Sequence, residues 1–158
     1  MFTASLLEDL SSAGRELLAL ATAKWSLESQ WAACGGGKGQ ILPRAARTRL
    51  GLLHRVVAAL QLERMRAIHE KLVRDFYKEV RRLSSVQGLA AHLASLGRDA
   101  RRGGGPSVDQ LLLAACNFAD AVAAGDSLAQ EEKLAKALRE LKNASDCSAE
   151  VRELCVCD

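Results

Sequence analysis

The sequence predicts an all-α protein, a bundle of about five helices. Its apolar residues recur at intervals of three and four along nearly the whole chain, which is the spacing of one helix face. Alanine and leucine dominate the composition, whereas only 4 % of the 158 residues are aromatic. Strands favour aromatic and β-branched residues, and no segment shows the strict alternation of apolar and polar residues that is typical of a half-buried strand.

Length and composition favour one helical domain that covers residues 1–158. A hydrophobic fraction of 49 % is enough for a buried core and excludes a chain that is disordered throughout. No apolar run approaches the roughly 18 residues that a membrane-spanning helix needs. The first residues contain neither a basic cluster nor an apolar stretch, so we expect no signal peptide.

The first predicted helix covers residues 1–34 and carries a row of apolar residues over four heptads. Lys24 is the only polar residue in that row. Either the row faces the core of a bundle while Lys24 extends to water, or it forms a coiled-coil seam in which a polar residue fixes the register. Further residues that widen the row are Leu7, Gly14, Leu18, Ala21 and Trp25. The row itself consists of Leu6, Leu10, Ala13, Leu17, Leu20, Lys24, Leu27 and Trp31.

The second predicted helix is long and basic, and it covers residues 41–83. A helix of about 40 residues is about 60 Å long, whereas a globular domain of this size is about 40 Å across. We therefore expect the helix either to break near residues 60–64 or to protrude, with part of it free for a partner. Its predicted basic surface consists of Arg64, Arg66, Lys71, Arg74, Lys78, Arg81 and Arg82.

Shorter elements follow the long helix. The spacing predicts a short helix over 86–97, and the glycines that follow predict a flexible loop over 98–106. An antiparallel helical hairpin is expected over 107–143, because Gly125 interrupts the apolar pattern there. Residues 144–158 form a tail in which one short helical turn is expected.

The net charge of +3 conceals a strong asymmetry along the chain. Residues 1–37 carry a net charge of −2, residues 38–102 carry +10 and residues 103–158 carry −5. A basic segment of this kind attracts acidic proteins or phosphates. Interleaved acidic residues and the scarcity of aromatic side chains argue against specific recognition of nucleic acid.

No residue pattern indicates catalysis, a cofactor or a metal. Cys147, Cys155 and Cys157 lie near the C-terminus, but a structural zinc site requires four ligands, usually in two close pairs. None of the three histidines belongs to a zinc-protease pattern. The odd number of cysteines, five, argues against a disulfide framework, so we expect a reducing compartment, the cytoplasm or the nucleus.

The leading functional hypothesis is a non-catalytic helical protein–protein interaction module, a small subunit or adaptor of a larger intracellular complex. We expect a helical or acidic protein partner or a homodimer, held by helix 1 and the second half of helix 2. The alternative is a basic module that binds nucleic acid or another polyanion through residues 38–102. The predicted interaction face consists of Leu17, Leu20, Trp25, Leu27, Trp31, Leu72, Phe76, Val80 and Leu83.

Overall fold

A computed structural model describes residues 4–35, 42–101, 105–145 and 147–155. These residues form helices and no strand, so the predicted all-α class is confirmed. A π-helical segment, Glu70–Asp75, separates the second and third α-helices. The α-helices are α1 (Ala4–Gly35), α2 (Arg44–His69), α3 (Phe76–Val80), α4 (Val86–Arg101), α5 (Pro106–Ala124), α6 (Leu128–Asn143) and α7 (Ala149–Leu154).

The long basic helix does not break where the sequence analysis expects it to. Residues 60–64 lie inside α2, and the change from α-helical to π-helical geometry comes at Glu70 instead. Leu60 and Arg64 are both buried, so the helix is continuous and packed against the core through that region. Beyond the π-helical segment, α3 packs against α4, where the rings of Phe76 and His92 stack with their centroids 6.2 Å apart. The second half of the long helix is therefore covered on one side.

Helix α1 organises the core, because it packs against α2, α4 and α5. From the row that the sequence singles out, Ala13, Leu20 and Leu27 are buried, as the core-facing interpretation requires. The side chain of Leu6 lies outside the described residues. Among the described residues, the largest fully buried side chain is that of Phe118, on α5.

The last three helices close the bundle. Gly125 ends α5 in the left-handed conformation, with φ of 79°, and a turn of three residues leads into α6, which packs along α5. Residues 98–101, which the sequence assigns to a flexible loop, are the last turn of α4, while residues 102–104 lie outside the described residues. Ser148 accepts the Val151 N–H at the start of α7, which returns to pack against α2.

Candidate protein interaction surface

The apolar residues of α1 form two faces, and only one of them is buried. Leu7, Leu18 and Trp25 are 54 %, 67 % and 68 % exposed. These residues are 11 and 7 positions apart, which is close to three and two helical turns, so they lie one above another along the helix. Helix α1 therefore exposes an apolar stripe about 27 Å long, at 1.5 Å per residue.

Two polar contacts establish the direction and register of α2 relative to α1. Nε2 of His54 lies 2.9 Å from Oε1 of Glu28, and Nε of Arg64 lies 2.9 Å from Oε2 of Glu16. From the first contact to the second, the residue number on α1 falls by 12, whereas the residue number on α2 rises by 10. The helices are therefore antiparallel, and residue 18 of α1 lies level with residue 62 of α2.

Helix α2 adds apolar side chains at this level. Leu62 and Met65 are 50 % and 52 % exposed. Leu62 follows the buried Leu53 by nine residues, or two and a half turns, so it faces away from the core. We define the outer face of the α1–α2 hairpin as the exposed side chains of Leu7, Leu18, Trp25, Leu62 and Met65.

An apolar cleft lies at the end of the hairpin where α1 ends and α2 begins. Its volume is about 370 Å³, and Leu27, Leu50 and Trp31 are among the residues that line it. The Trp31 ring lies over Gly51, where a Cβ atom would meet it at 3.6 Å, an ordinary contact distance. The His54–Glu28 pair also lines the cleft, so polar groups are available at its edge but do not surround it.

The charges on α2 are almost all positive. Six of its 26 residues are arginines, and Glu63 is its only acidic residue. The Glu63 carboxylate already accepts the backbone N–H of Ser148 at 3.1 Å. Arg44, Arg55 and Arg66 are exposed and form no ion pair with any residue that the structure describes. Each of these arginines follows the previous one by 11 residues, which is close to three helical turns and about 16 Å along the axis. The three therefore lie on one side of α2.

One residue assigned to the basic surface lies elsewhere. Arg64 is only 7 % exposed, so its placement on the exposed surface is wrong. It follows Leu53 by 11 residues and Leu60 by 4, and this spacing turns it toward the core. Burial raises the pKa of Glu16, its partner; the Arg64 charge and hydrogen bond act in the opposite direction, and the charge of Asp109 adds to the increase.

The other predicted basic residues keep an outward position where the structure describes them. Arg82 is close to Glu79, with Nη1 3.4 Å from Oε1. The side chain of Lys71 lies outside the described residues. The exposed members are Arg66, Arg74, Lys78, Arg81 and Arg82.

The structure separates the residues of the predicted interaction face. Leu20 and Leu27 are both 1 % exposed within the core of this chain. They have to be removed from the face, because no partner can reach them while the chain is folded. Trp25 and Trp31 are exposed, and the side chain of Leu72 lies outside the described residues. The half-buried members are Leu17, Phe76, Val80 and Leu83.

The predicted interaction face includes neither Leu62 nor Met65, although the apolar spacing places Met65 in the row of the long helix; Leu7 and Leu18 are predicted only to widen the core row. A signal for the second face was present in α1. The apolar stripe of a helix that packs against a core covers an arc of about 100° around the helix axis. The apolar row of α1, with the residues that widen it, covers a larger arc. A helix with such a row has more apolar surface than one side of a core can cover.

The described residues offer little for covalent or metal chemistry. They contain no group of three or more His, Cys, Asp and Glu side chains that could hold a metal ion; Cys157 lies outside them. Burial raises the pKa of the Cys116 thiol, and the charge of Asp120 acts in the same direction, so this thiol is a weak nucleophile at neutral pH. None of the described helices combines the length and the apolar character needed to cross a bilayer.

Comparison with known proteins adds no relative to this description. No protein-family model matches the chain, and neither a curated protein nor a solved structure is similar to it. The geometry and charge of the surface described above are therefore the evidence for function.

Proposed function

We propose that this chain is a non-catalytic helical protein–protein interaction module, a small subunit or adaptor of a larger complex. The observation that carries the proposal is the outer face, where five large apolar side chains are each at least half exposed. These five side chains lie on two neighbouring helices, and groups of exposed apolar side chains are typical of interaction sites. Tryptophan, methionine and arginine, which lie on or beside this face, are enriched at protein interfaces.

Covering this face with a partner would contribute favourable free energy to an interaction. Removal of apolar surface from water contributes about 25 cal/mol for each Å². Several exposed side chains buried together therefore offset part of the entropy that association costs. We place the complex in the cytoplasm or the nucleus, since the odd number of cysteines, five, suits a reducing compartment better than a disulfide framework.

The exposed arginines of α2 support a second candidate function, the binding of nucleic acid or another polyanion through residues 38–102. Phosphate contacts made by arginine release counterions, so such binding weakens steeply as salt is raised. Apolar docking changes little over the same range. A titration with a DNA duplex at two salt concentrations therefore separates the two functions.

A photo-crosslinking residue in place of Leu18 tests the proposed module in the cells that express this chain. We expect a discrete adduct with another protein from position 18, because this side chain lies in the middle of the outer face. Leu113 on α5 is the matched control, since it is 65 % exposed and lies away from that face. We expect no adduct from position 113, and loss of the adduct from position 18 when Trp25→Asp is added.

The variant Trp25→Asp should change the free energy of unfolding by no more than about 0.5 kcal/mol, as is usual for exposed sites. An adduct with a second copy of the chain would support a homodimeric module. Equal adducts from positions 18 and 113, or none from position 18, would contradict the proposed function.

A further inference from the structure

We propose that the outer face binds an acidic amphipathic helix of another protein. This inference rests on the proposed function and names the chemistry of the partner. Three features carry it: the shape of the apolar surface, the positive charge along one border, and the poor fit of the other candidate occupants.

The shape of the outer face suits a helix. Its side chains come from two antiparallel helices lying side by side, with Leu18 level with Leu62. The surface between two such helices accepts the apolar side of a third helix, whose anchors recur every three or four residues. The stripe from Leu7 to Trp25 is about 27 Å long, so it matches an occupant of about 18 residues.

The charge along α2 selects an acidic occupant. Arg66 lies level with about residue 14 of α1 and Arg55 with about residue 27, so both lie beside the stripe, and neither forms an ion pair with a residue that the structure describes. A helix of about 18 residues lying parallel to α2 meets both arginines, which are 11 residues apart. Acidic residues at that interval, on the flank facing α2, would pair with them. Complementary charge of this kind determines which partner binds.

Other occupants fit this surface less well. A second copy of the chain would bring the same arginines to the border, and like charges oppose association. Nucleic acid would neutralise the arginines but would leave Leu18 and Trp25 exposed to water. An acidic helix satisfies both the apolar stripe and the charged border.

Selection from a displayed peptide library tests the charge of the occupant. The library contains helices of about 18 residues with leucine at the anchor positions and either glutamate or lysine at each flanking position. Panning against the full chain is expected to enrich glutamate over lysine by about tenfold on one flank. The variant Arg55→Glu with Arg66→Glu is expected to reverse that preference. The control variant Arg139→Glu with Arg152→Glu changes exposed arginines of α6 and α7 and should preserve it.

The outcomes of the selection distinguish failure of the acidic partner from failure of the interaction module. Enriched helices without a charge preference, or with a preference that the Arg55→Glu and Arg66→Glu changes do not reverse, overturn the acidic partner and leave the interaction module standing. Failure of the wild type to enrich any helix above the variant Leu18→Asp with Trp25→Asp contradicts both proposals. Tighter binding of a short DNA duplex than of the selected helices, with steep salt dependence, overturns the acidic helix in favour of a polyanion.

Discussion

Replacement of Arg64 by methionine is expected to lower the free energy of unfolding by about 3–5 kcal/mol, the cost of removing one partner from a buried ion pair. The Arg64 and Glu16 side chains are only 8 % and 14 % exposed, with Nε and Oε2 2.9 Å apart. In the variant, the Glu16 carboxylate stays buried without the guanidinium that compensates its charge. Urea unfolding followed by circular dichroism measures the loss.

The double variant Glu16→Leu with Arg64→Met separates the pair from its individual charges. Apolar residues of similar size often replace a buried pair at no cost, or stabilise the protein by about 1–4 kcal/mol. We therefore expect the double variant to be at least as stable as the wild type. The exposed pair Lys136–Glu140 is the matched control, and its removal should cost less than about 1 kcal/mol. A double variant as unstable as Arg64→Met would contradict this account.

The same pair predicts the direction of a pH dependence. Burial raises the pKa of Glu16 in the folded chain, so the folded state binds the proton more tightly than the unfolded state does. The stabilisation linked to that proton is complete below the unfolded pKa and is lost as the pH rises through the folded pKa. The double variant lacks this titration, so its stability relative to the wild type should increase as the pH rises through that window. A difference that is constant with pH would contradict the raised pKa.

Replacement of Phe118 by alanine is expected to lower the free energy of unfolding by about 3–5 kcal/mol, as for other large buried side chains. Phe118 is 0 % exposed, and no larger side chain is fully buried in the part of the chain that the structure describes. Its loss leaves a cavity in a core to which α1, α2, α5 and α6 all contribute residues. A domain of ordinary stability has a free energy of unfolding of about 5–15 kcal/mol, so this loss would be a large part of it.

Leu113 provides the control on the same helix. Because its side chain is 65 % exposed, Leu113→Ala should change the free energy of unfolding by no more than about 0.5 kcal/mol. Equal effects of Phe118→Ala and Leu113→Ala in thermal or urea unfolding would show that α5 does not bury the face described here.

The helices and several of their ends could be predicted from local information. Apolar spacing of three and four residues depends only on the helical period, and it was sufficient for the all-α class. Gly125 was recognised as the end of a helix for a local reason, since glycine adopts the left-handed conformation without the strain that a Cβ atom causes. The change at Glu70 was missed, because a π-helical segment carries no comparable signal in the sequence.

The two faces of α1 could not be assigned in the same way. Leu18 and Leu20 are the same residue type two positions apart, yet Leu18 is 67 % exposed and Leu20 is 1 % exposed. The periodicity shows that they lie on different sides of one helix, but both sides are apolar. Only the packing of α2, α4 and α5 around α1 determines which side is covered.

The same division applies to the charges. The sequence by itself shows that residues 38–102 are basic, because net charge is a sum over residue types. It does not show that Arg64 meets Glu16 across 48 positions while Arg66 remains exposed. Helical period and composition are properties of neighbouring residues. Burial and ion pairing join residues that are distant in the chain, and they exist only once the helices have packed.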